Sequence, residues 1–374
     1  MSGPLQGIRI IEFAGIGPAP FCGMMLADHG AEIIRIDRKG GQLTGPLARS
    51  KKSIVIDLKT EDGVGLARQL VESADGIIEG YRPGVMERLG LGPDVLCSDN
   101  EKLVYGRMTG WGQFGPYAKA AGHDINYIAL SGALHTCGRQ GELPTPPANY
   151  LGDFGGGGMM LAFGMVSALL GVKNGEPGQV IDCAMTDGSA LLTGMTWGAL
   201  EAGQWVDERG VNRLDTGAHF YNVYETKDGK CISIGSNEPQ FYAMLGDISG
   251  LADDPDFAEQ HEKSTWPLLK DKLAKVFKQK TRDEWCELLA ATDICYAPVL
   301  SLREAPEHPH NAARETFIEV GGATQPAPAP RYSKTQMDQP TAAVEKGENS
   351  DEILNELCYS ENQISKLKAA GIVS

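Results

Sequence analysis

Short runs of aliphatic and β-branched residues recur along the first half of the chain, and segments with a helical pattern lie between several of them. Runs of about four to eight such residues are typical of buried strands. Strands are predicted over residues 8–13, 32–37, 53–57, 76–79, 103–108 and 179–185, and helices over residues 21–28, 64–73 and 159–172. Strands and helices that alternate at this spacing predict an α/β fold with a doubly wound, parallel, Rossmann-like sheet.

The pattern changes in the second half of the chain, where a helix predicted over residues 187–202 leads away from the first domain. Residues 221–235 are predicted to form a β-hairpin, because they contain an Asp-Gly dipeptide of the kind found in tight hairpin turns. Helices are predicted over residues 239–245, 266–278 and 282–291. The last of these begins with the capping-box pair Thr281 and Glu284. A smaller α+β domain is therefore expected.

These changes set the predicted domain boundaries. A large domain is predicted over residues 1–188, a helical linker over 189–219 and the small domain over 220–318. Residues 319–330 are predicted to be an extended linker, because three prolines alternate with alanine there. Terminal helices are predicted over residues 351–358 and 363–369.

Composition narrows the class of protein. The chain has 374 residues, with 34 basic and 49 acidic side chains and a formal net charge of −15. A chain this acidic is not expected to bind nucleic acid or an anionic membrane. Its eight cysteines include no CxxC pair, so neither a metal site nor a disulfide framework is predicted.

The sequence also bears on location. The apolar helix predicted over residues 159–172 has 14 residues, too few to span a bilayer, and is therefore predicted to be a core helix. The first residues pass directly into a strand pattern and lack the plan of a signal peptide. A cytoplasmic location is expected.

Two motifs carry candidate acid/base chemistry. GHDINY (residues 122–127) supplies His123, and GDFGGGG (residues 152–158) supplies Asp153. Two weak bases on separate loops suit a reaction that removes a proton from one side of a carbon and returns it on the other. The glycines would let the backbone approach a ligand closely. A helix beginning near residue 159 would aim its N–H groups at a developing negative charge.

Each of the two residues also has a structural alternative. Asp153 could cap the helix that follows it, which is a common use of aspartate. His123 could be a histidine of the core whose ring nitrogens are satisfied by neighbouring groups.

A dinucleotide site is the main rival interpretation of the first strand–helix unit. GIGPAP (residues 15–20) follows the strand predicted at 8–13, and Asp37 ends the next strand, where a ribose-binding acid would lie. The pattern lacks its third glycine, and Pro18 and Pro20 have no N–H group to offer a pyrophosphate. A dinucleotide site is therefore not predicted.

The two acid/base motifs resemble those of the α-methylacyl-CoA racemases, which belong to the family III CoA-transferase superfamily. The resemblance extends to residues 4–38, 51–63, 79–92, 106–116, 184–189 and 296–310. CoA transferases of the superfamily share the aspartate but generally lack a histidine at the position of His123, so His123 favours a racemase. The resemblance implies that residues 331–374 complete the large, CoA-binding domain and that two chains interlock as a homodimer.

The resemblance also implies roles for individual residues. His123 and Asp153 would be the two acid/base groups, and Glu238 the acidic partner of the histidine. The CoA moiety of the substrate would be bound by Arg38, Ile56, Asp57, Leu58, Lys59, Tyr81, Arg82, Arg88, Gly122, Asp124, Ile125, Asn126 and Tyr127. Arg49 and Asp187 would support the site. Taken singly, the basic residues could be solvated surface charges and Glu238 a charge at a helix start.

The implied reaction inverts the α-carbon of a 2-methylacyl-CoA thioester by proton transfer through an enolate. It needs a base and an acid on opposite faces, and a donor to the thioester oxygen, which the resemblance identifies as the backbone N–H of Asp124. No metal or redox cofactor is required, and CoA is part of the substrate. One alternative is CoA transfer with Asp153 as the nucleophile that forms an acyl-enzyme anhydride. Another is a CoA-binding homologue without activity, against which the presence of both acid/base residues argues.

Overall fold

The structure, a computed structural model, describes residues 2–40 and 45–374. The described chain forms two compact units. The large unit comprises the residues up to Ser131, Ala148–Leu192 and Glu315–Ser374, and the small unit comprises Gly132–Pro147 and Thr193–Arg314. The predicted boundaries differ from these units chiefly in two segments: residues 132–147, which were assigned to the large domain, and residues 193–219, which were predicted to be part of a linker, belong to the small unit.

The strands of the described ranges are β1 (Arg9–Phe13), β2 (Glu32–Asp37), β3 (Lys52–Val55), β4 (Gly76–Glu79), β5 (Val104–Thr109), β6 (Val180–Ala184), β7 (Tyr221–Glu225), β8 (Cys231–Gly235), β9 (Tyr296–Val299), β10 (Phe317–Val320) and β11 (Ala323–Pro326). The first six form one sheet in the order β3-β2-β1-β4-β5-β6, and all neighbours are parallel. The predicted fold class is confirmed. The strand order reverses between β1 and β4, and in such sheets ligands bind outside the carboxyl ends of the strands at this point.

The helices are α1 (Pro18–Asp28), α2 (Glu61–Glu72), α3 (Val85–Arg88), α4 (Pro93–Asp99), α5 (Asp124–Leu130), α6 (Met160–Lys173), α7 (Met185–Leu192), α8 (Gly194–Glu201), α9 (Pro239–Ser249), α10 (Trp266–Phe277), α11 (Arg282–Leu289), α12 (Pro309–Ala313), α13 (Ser350–Glu356) and α14 (Glu361–Ala369). Helices of the large unit cover both faces of its sheet. Because successive side chains of a strand point to opposite faces, β1 directs Ile11 to one apolar cluster and Ile10 to another. The first cluster includes residues of α2, α13 and α14, and the second includes residues of α1 and α6.

The small unit has its own core beneath an antiparallel sheet. Strands β7, β8 and β9 pair in that order, and the predicted hairpin is formed by β7 and β8. The predicted capping box is also present, because the Thr281 N–H donates to Glu284 Oε2 at 2.7 Å and the Glu284 N–H donates to Thr281 Oγ1 at 3.2 Å. Phe220, Trp266 and Trp285 lie among the buried aromatic residues of this core.

Part of the segment predicted to be a linker is instead a strand of the large unit. Strand β11 pairs antiparallel with β10, from Phe317 opposite Pro326 to Val320 opposite Ala323. The alternating prolines begin at the last residue of β11, so the extended conformation they favour starts where the strand ends. For residues 323–326 the linker prediction was therefore wrong.

The apolar helix of the large unit begins at Tyr150 rather than near residue 159. Its first turns, Tyr150–Met159, are π-helical and continue directly into α6. This long helix, Tyr150–Lys173, has 24 residues, and its most apolar 18-residue window has a mean hydropathy of 1.6, so by length and composition it would suffice to cross a membrane. The predicted length of 14 residues was wrong, although 44% of its most apolar window is buried within the protein.

Candidate active site

A cavity of about 510 Å³ opens at the carboxyl ends of β1, β4 and β5, beside the point where the strand order reverses. Its walls are the starts of α1, α5 and the long helix, together with the loops that follow β4 and β5. The lining residues are Ile16, Gly17, Pro18, Ala19, Gly80, Tyr81, Arg82, Pro83, Met108, Thr109, Gly110, Trp111, Ala118, Ala120, Ala121, Gly122, His123, Tyr127, Asn149, Asp153 and Met185. Thus His123 and Asp153, which are far apart in the sequence, line one cavity.

His123 lies at the N-cap position of α5, with an extended backbone at φ −134°. Its backbone N–H donates to Asn126 Oδ1 at 3.1 Å, so the Asn126 side chain fixes the start of the helix. The His123 side chain is exposed at the cavity, which excludes the alternative of a core histidine. An accessible imidazole is free to exchange protons with a ligand.

Asp153 is partly buried in the first turns of the long helix. The helix begins at Tyr150, so Asp153 does not occupy the capping position, and the capping alternative is wrong. Burial raises the pKa of the Asp153 carboxyl; a hydrogen bond from Asn149 opposes this rise, and the nearby Asp124 carboxylate adds to it. A carboxyl whose pKa is raised toward neutrality is better able both to accept and to return a proton.

Asn149 is a site residue that the sequence did not identify. Its amide Nδ2 donates to Asp153 Oδ2 at 3.0 Å, and Asn149 itself lines the cavity. The signal was the spacing of four residues between the amide and the carboxylate. That spacing places two side chains on the same face only if the segment is helical. Because the helix was expected to begin later, the signal was missed.

The glycines of the run, residues 155–158, are not among the residues that line the cavity, and two of them allow helices to approach one another. A Cβ on Gly156 would lie 2.6 Å from the backbone nitrogen of Ser189, in α7. A Cβ on Gly158 would lie 2.8 Å from the carbonyl oxygen of Pro18, in α1. Residue 159 lies inside the long helix rather than at its start, so the prediction that the N–H groups of a helix start at this point face a developing charge is wrong.

An aromatic contact supports the loop that carries His123. The Tyr127 hydroxyl donates to the carbonyl oxygen of Gly122, and its ring packs edge-to-face on Trp111 at a centroid distance of 4.8 Å. A Cβ on Gly110 would lie only 2.1 Å from Tyr127 Cε1, so a glycine is needed there. Tyr127 therefore acts through packing as well as by lining the cavity. Ile125 and Asn126 are exposed and are not among the lining residues.

The residues predicted to bind the nucleotide part of CoA are divided between two places. Tyr81 and Arg82 line the cavity, and Arg38 lies near enough to the Tyr81 hydroxyl to oppose the rise in its pKa that burial causes. Leu58, Lys59 and Arg88 line a separate groove of about 440 Å³, together with Arg68. The exposed side chain of Asp57 forms a hydrogen bond within its own loop, where Oδ1 accepts from the Lys59 N–H at 3.0 Å.

Ile56 and Arg49 have roles other than the predicted ones. Ile56 is 1% exposed and pairs with Val373, so its side chain belongs to the core and cannot line a groove. Arg49 is buried, where its Nε donates to Asp28 Oδ1 at 3.0 Å and its Nη1 to the carbonyl oxygen of Pro326 at 2.8 Å. It therefore ties α1 to the β10–β11 hairpin and is not among the residues that line the cavity.

The remaining predicted residues lie outside the cavity. Asp187 is an exposed residue in the first turn of α7. Glu238 is an exposed residue of the small unit, at the N-cap position of α9, where its side chain makes no capping hydrogen bond. Within residues 2–40 and 45–374, no group of three or more His, Cys, Asp or Glu side chains is placed to hold a metal ion.

Comparison with known proteins gives a consistent result. The model of CoA-transferase family III matches residues 5–349. The chain is 45% identical to mouse alpha-methylacyl-CoA racemase and 41% identical to the human one, and each alignment covers 99% of this chain and 97% of the relative. A crystal structure of a CAIB/BAIF family protein from Brucella suis has a TM-score of 0.84 and 25% identity, and covers 96% of this chain and 100% of that one.

Proposed function

The chain belongs to CoA-transferase family III, and we propose that it is an isomerase that inverts the α-carbon of 2-methylacyl-CoA thioesters. The identity of 41–45% to two alpha-methylacyl-CoA racemases over nearly the whole chain supports this reaction. The observation that carries the mechanism is that His123 and Asp153 line one cavity. This is the arrangement that a two-base proton transfer requires.

In the proposed mechanism, His123 and Asp153 face opposite sides of the α-carbon. One group removes the α-proton, the electrons pass onto the thioester oxygen as an enolate, and the other group protonates the opposite face. The roles exchange in the reverse direction. The direction of the Asp153 pKa shift supports this assignment, because a carboxyl whose pKa is raised by burial is a stronger base toward the α-proton.

The enolate oxygen needs a hydrogen-bond donor, and we assign that role to the backbone N–H of Asp124. Helix α5 begins at this residue, and the first N–H groups of a helix have no partner within the helix. The N–H groups of Asn126 and Tyr127 already donate to the carbonyl oxygen of His123. The earlier N–H of Asp124 is therefore the group best suited to meet the developing charge.

We further propose that two chains form a homodimer. Met159, Phe163, Val166 and Leu170 follow one another on the long helix at helical spacing and are 51%, 73%, 40% and 59% exposed. An apolar stripe of this kind is typical of a protein–protein interface. The occupant we propose is a second copy of the chain, as the family resemblance implies; a membrane surface is the other chemistry that such a stripe fits. Sedimentation equilibrium of the parent protein and of Phe163→Glu tests for the dimer. Vesicle flotation of the same two proteins, run in parallel, tests for binding to a membrane surface.

We also expect Glu238 of one chain to serve the His123 of the other. Asp153→Ala and Glu238→Ala chains, each inactive alone, should regain activity when unfolded and refolded together, because one hybrid site would be intact. Verified heterodimers that stay inactive would assign Glu238 to the site of its own chain or to no site.

Deuterium exchange tests the reaction itself. A single enantiomer of a 2-methylacyl-CoA, drawn from a panel of acyl chains and incubated in deuterated water, should gain α-deuterium while both enantiomers appear. The competing activity of the family is transfer of CoA with Asp153 as nucleophile. CoA transfer onto an added carboxylic acid, with no α-deuterium in any thioester, would replace the racemase with a transferase.

A further inference from the structure

The carboxylate of Asp124 belongs to the residue after His123 and is bonded to the backbone of Asp153, and the reaction above does not use it. Asp124 is 5% exposed and begins α5, directly after His123. Its Oδ1 accepts from the backbone N–H of Asp153 at 2.7 Å. One side chain therefore connects the chain segments that carry the two groups.

The surroundings of this carboxylate are shaped to admit it. A Cβ on Gly152 would lie 2.5 Å from Asp124 Oδ1 and 2.9 Å from its Cγ, so the carboxylate fits only because residue 152 is glycine. The N–H that it accepts is among the first of the long helix, which have no partner within that helix. The carboxylate thus satisfies a backbone group that would otherwise be unpaired in the wall of the cavity.

The other carboxylate oxygen indicates a role beyond structural support. Asp124 Oδ2 is buried and has no hydrogen-bond partner in the described part of the chain. A buried, unpartnered oxygen destabilises a fold, and an asparagine would meet the structural need without a charge. The charge itself acts on the site, since it is one of the groups that raise the pKa of Asp153.

We propose that Asp124 is a positioning residue, whose carboxylate holds Asp153 in register with His123 and places a negative charge beside the Asp153 carboxyl. It does so by tying the first turn of the long helix to the start of α5. This inference rests on the proposed racemase function and extends it. It concerns the side chain of Asp124, whereas the oxyanion role concerns the backbone N–H.

Few other groups of the described chain contact the Asp153 carboxyl or influence its pKa. The amide of Asn149 donates to it from the start of the same helix, and His123 faces it from the start of α5. Tyr127, also on α5, feels the Asp153 charge in its own pKa, which burial raises most. Gly17, at the N-cap position of α1, also lies close, since a Cβ there would lie 3.4 Å from Asp153 Oδ2. Of these neighbours of the Asp153 carboxyl, Asp124 is therefore the one that brings a negative charge.

Two substitutions distinguish the effect of the hydrogen bond from the Asp153 N–H from the effect of the negative charge of Asp124. Asp124→Asn keeps an oxygen that can accept the Asp153 N–H but removes the charge, and Asp124→Ala removes both. We expect Asp124→Ala to lower kcat about 100-fold with KM changed less than about threefold, since misplacing a catalytic group by about 1 Å has an effect of this size. We expect Asp124→Asn to retain most of kcat. The limb of its pH–rate profile that titrates Asp153 should move to lower pH, because a neighbouring negative charge has been removed.

Asp62→Ala is the matched control, because Asp62 is an exposed first-turn carboxylate of α2 in the same unit. It should leave kcat, KM and the profile unchanged. Racemisation by Asp124→Ala within about threefold of the parent, or an Asp124→Asn profile that does not move, would overturn the proposal. Should Asp124→Ala not fold, the Asp124→Asn profile decides alone. A parent enzyme that transfers CoA without α-deuterium exchange would instead refute the racemase function. The parent enzyme is therefore assayed for both activities before any variant is made.

Discussion

Removing the amide of Asn149 should raise the pKa of Asp153, and the structure gives the size of the effect. The Asn149 amide donates to Asp153 Oδ2 at 3.0 Å, and such a bond stabilises the charged carboxylate. A hydrogen bond to a charged group contributes about 1.5–3 kcal/mol. We take about half of that free energy, because Asp153 is only partly buried and water will replace part of the hydrogen bond. At about 1.4 kcal/mol per pKa unit, Asn149→Ala should raise the Asp153 pKa by about one unit.

The assay is the pH dependence of kcat/KM for inversion of a single enantiomer, followed by α-proton exchange in deuterated water. The limb that titrates Asp153 should move about one unit to higher pH, opposite in sign to the shift expected for Asp124→Asn. Asn174→Ala is the control, because Asn174 is exposed at the far end of the same long helix. A folded Asn149→Ala enzyme whose limb stays in place, or moves to lower pH, would refute the reasoning.

Four further substitutions probe chemistry, binding and packing. His123→Ala and Asp153→Ala should each abolish most racemisation while CoA affinity, measured by calorimetry, changes little; inversion that persists in either would remove that residue from the mechanism. Lys59→Ala should raise KM for the thioester several-fold more than it lowers kcat, because Lys59 lines the second groove rather than the cavity; an unchanged KM would place the nucleotide elsewhere. Gly23→Ala should lower the free energy of unfolding by about 1–3 kcal/mol, because a Cβ there would lie 1.9 Å from Glu12 Oε2 in a buried ion pair. Chemical denaturation measures that loss, and a stability equal to the parent's would show that the ion pair can move aside.

The sequence identified the two residues proposed as acid/base groups but not what surrounds them. His123 and Asp153 stood out because their residue types fit the chemistry and their motifs resemble a known family. The helix start at Tyr150 was not foreseen, because the π-helical turns contain five glycines and so lack the pattern of an ordinary helix. Misplacing that start hid the contact between Asn149 and Asp153, and led to the prediction of a ligand-binding role for glycines that do not line the cavity.

The sequence by itself determined the order and type of the main elements. Alternating apolar runs and helical segments are local signals, and each predicted strand of the large sheet is present within a few residues of its predicted bounds. The tertiary structure alone decided which side chains meet. Arg49 resembled a site residue but is held by Asp28 and Pro326, and Ile56 is drawn into the core by Val373. These contacts join residues that are distant in the chain. Local propensity carries no information about such pairs, because burial and partner are set only when the layers pack together.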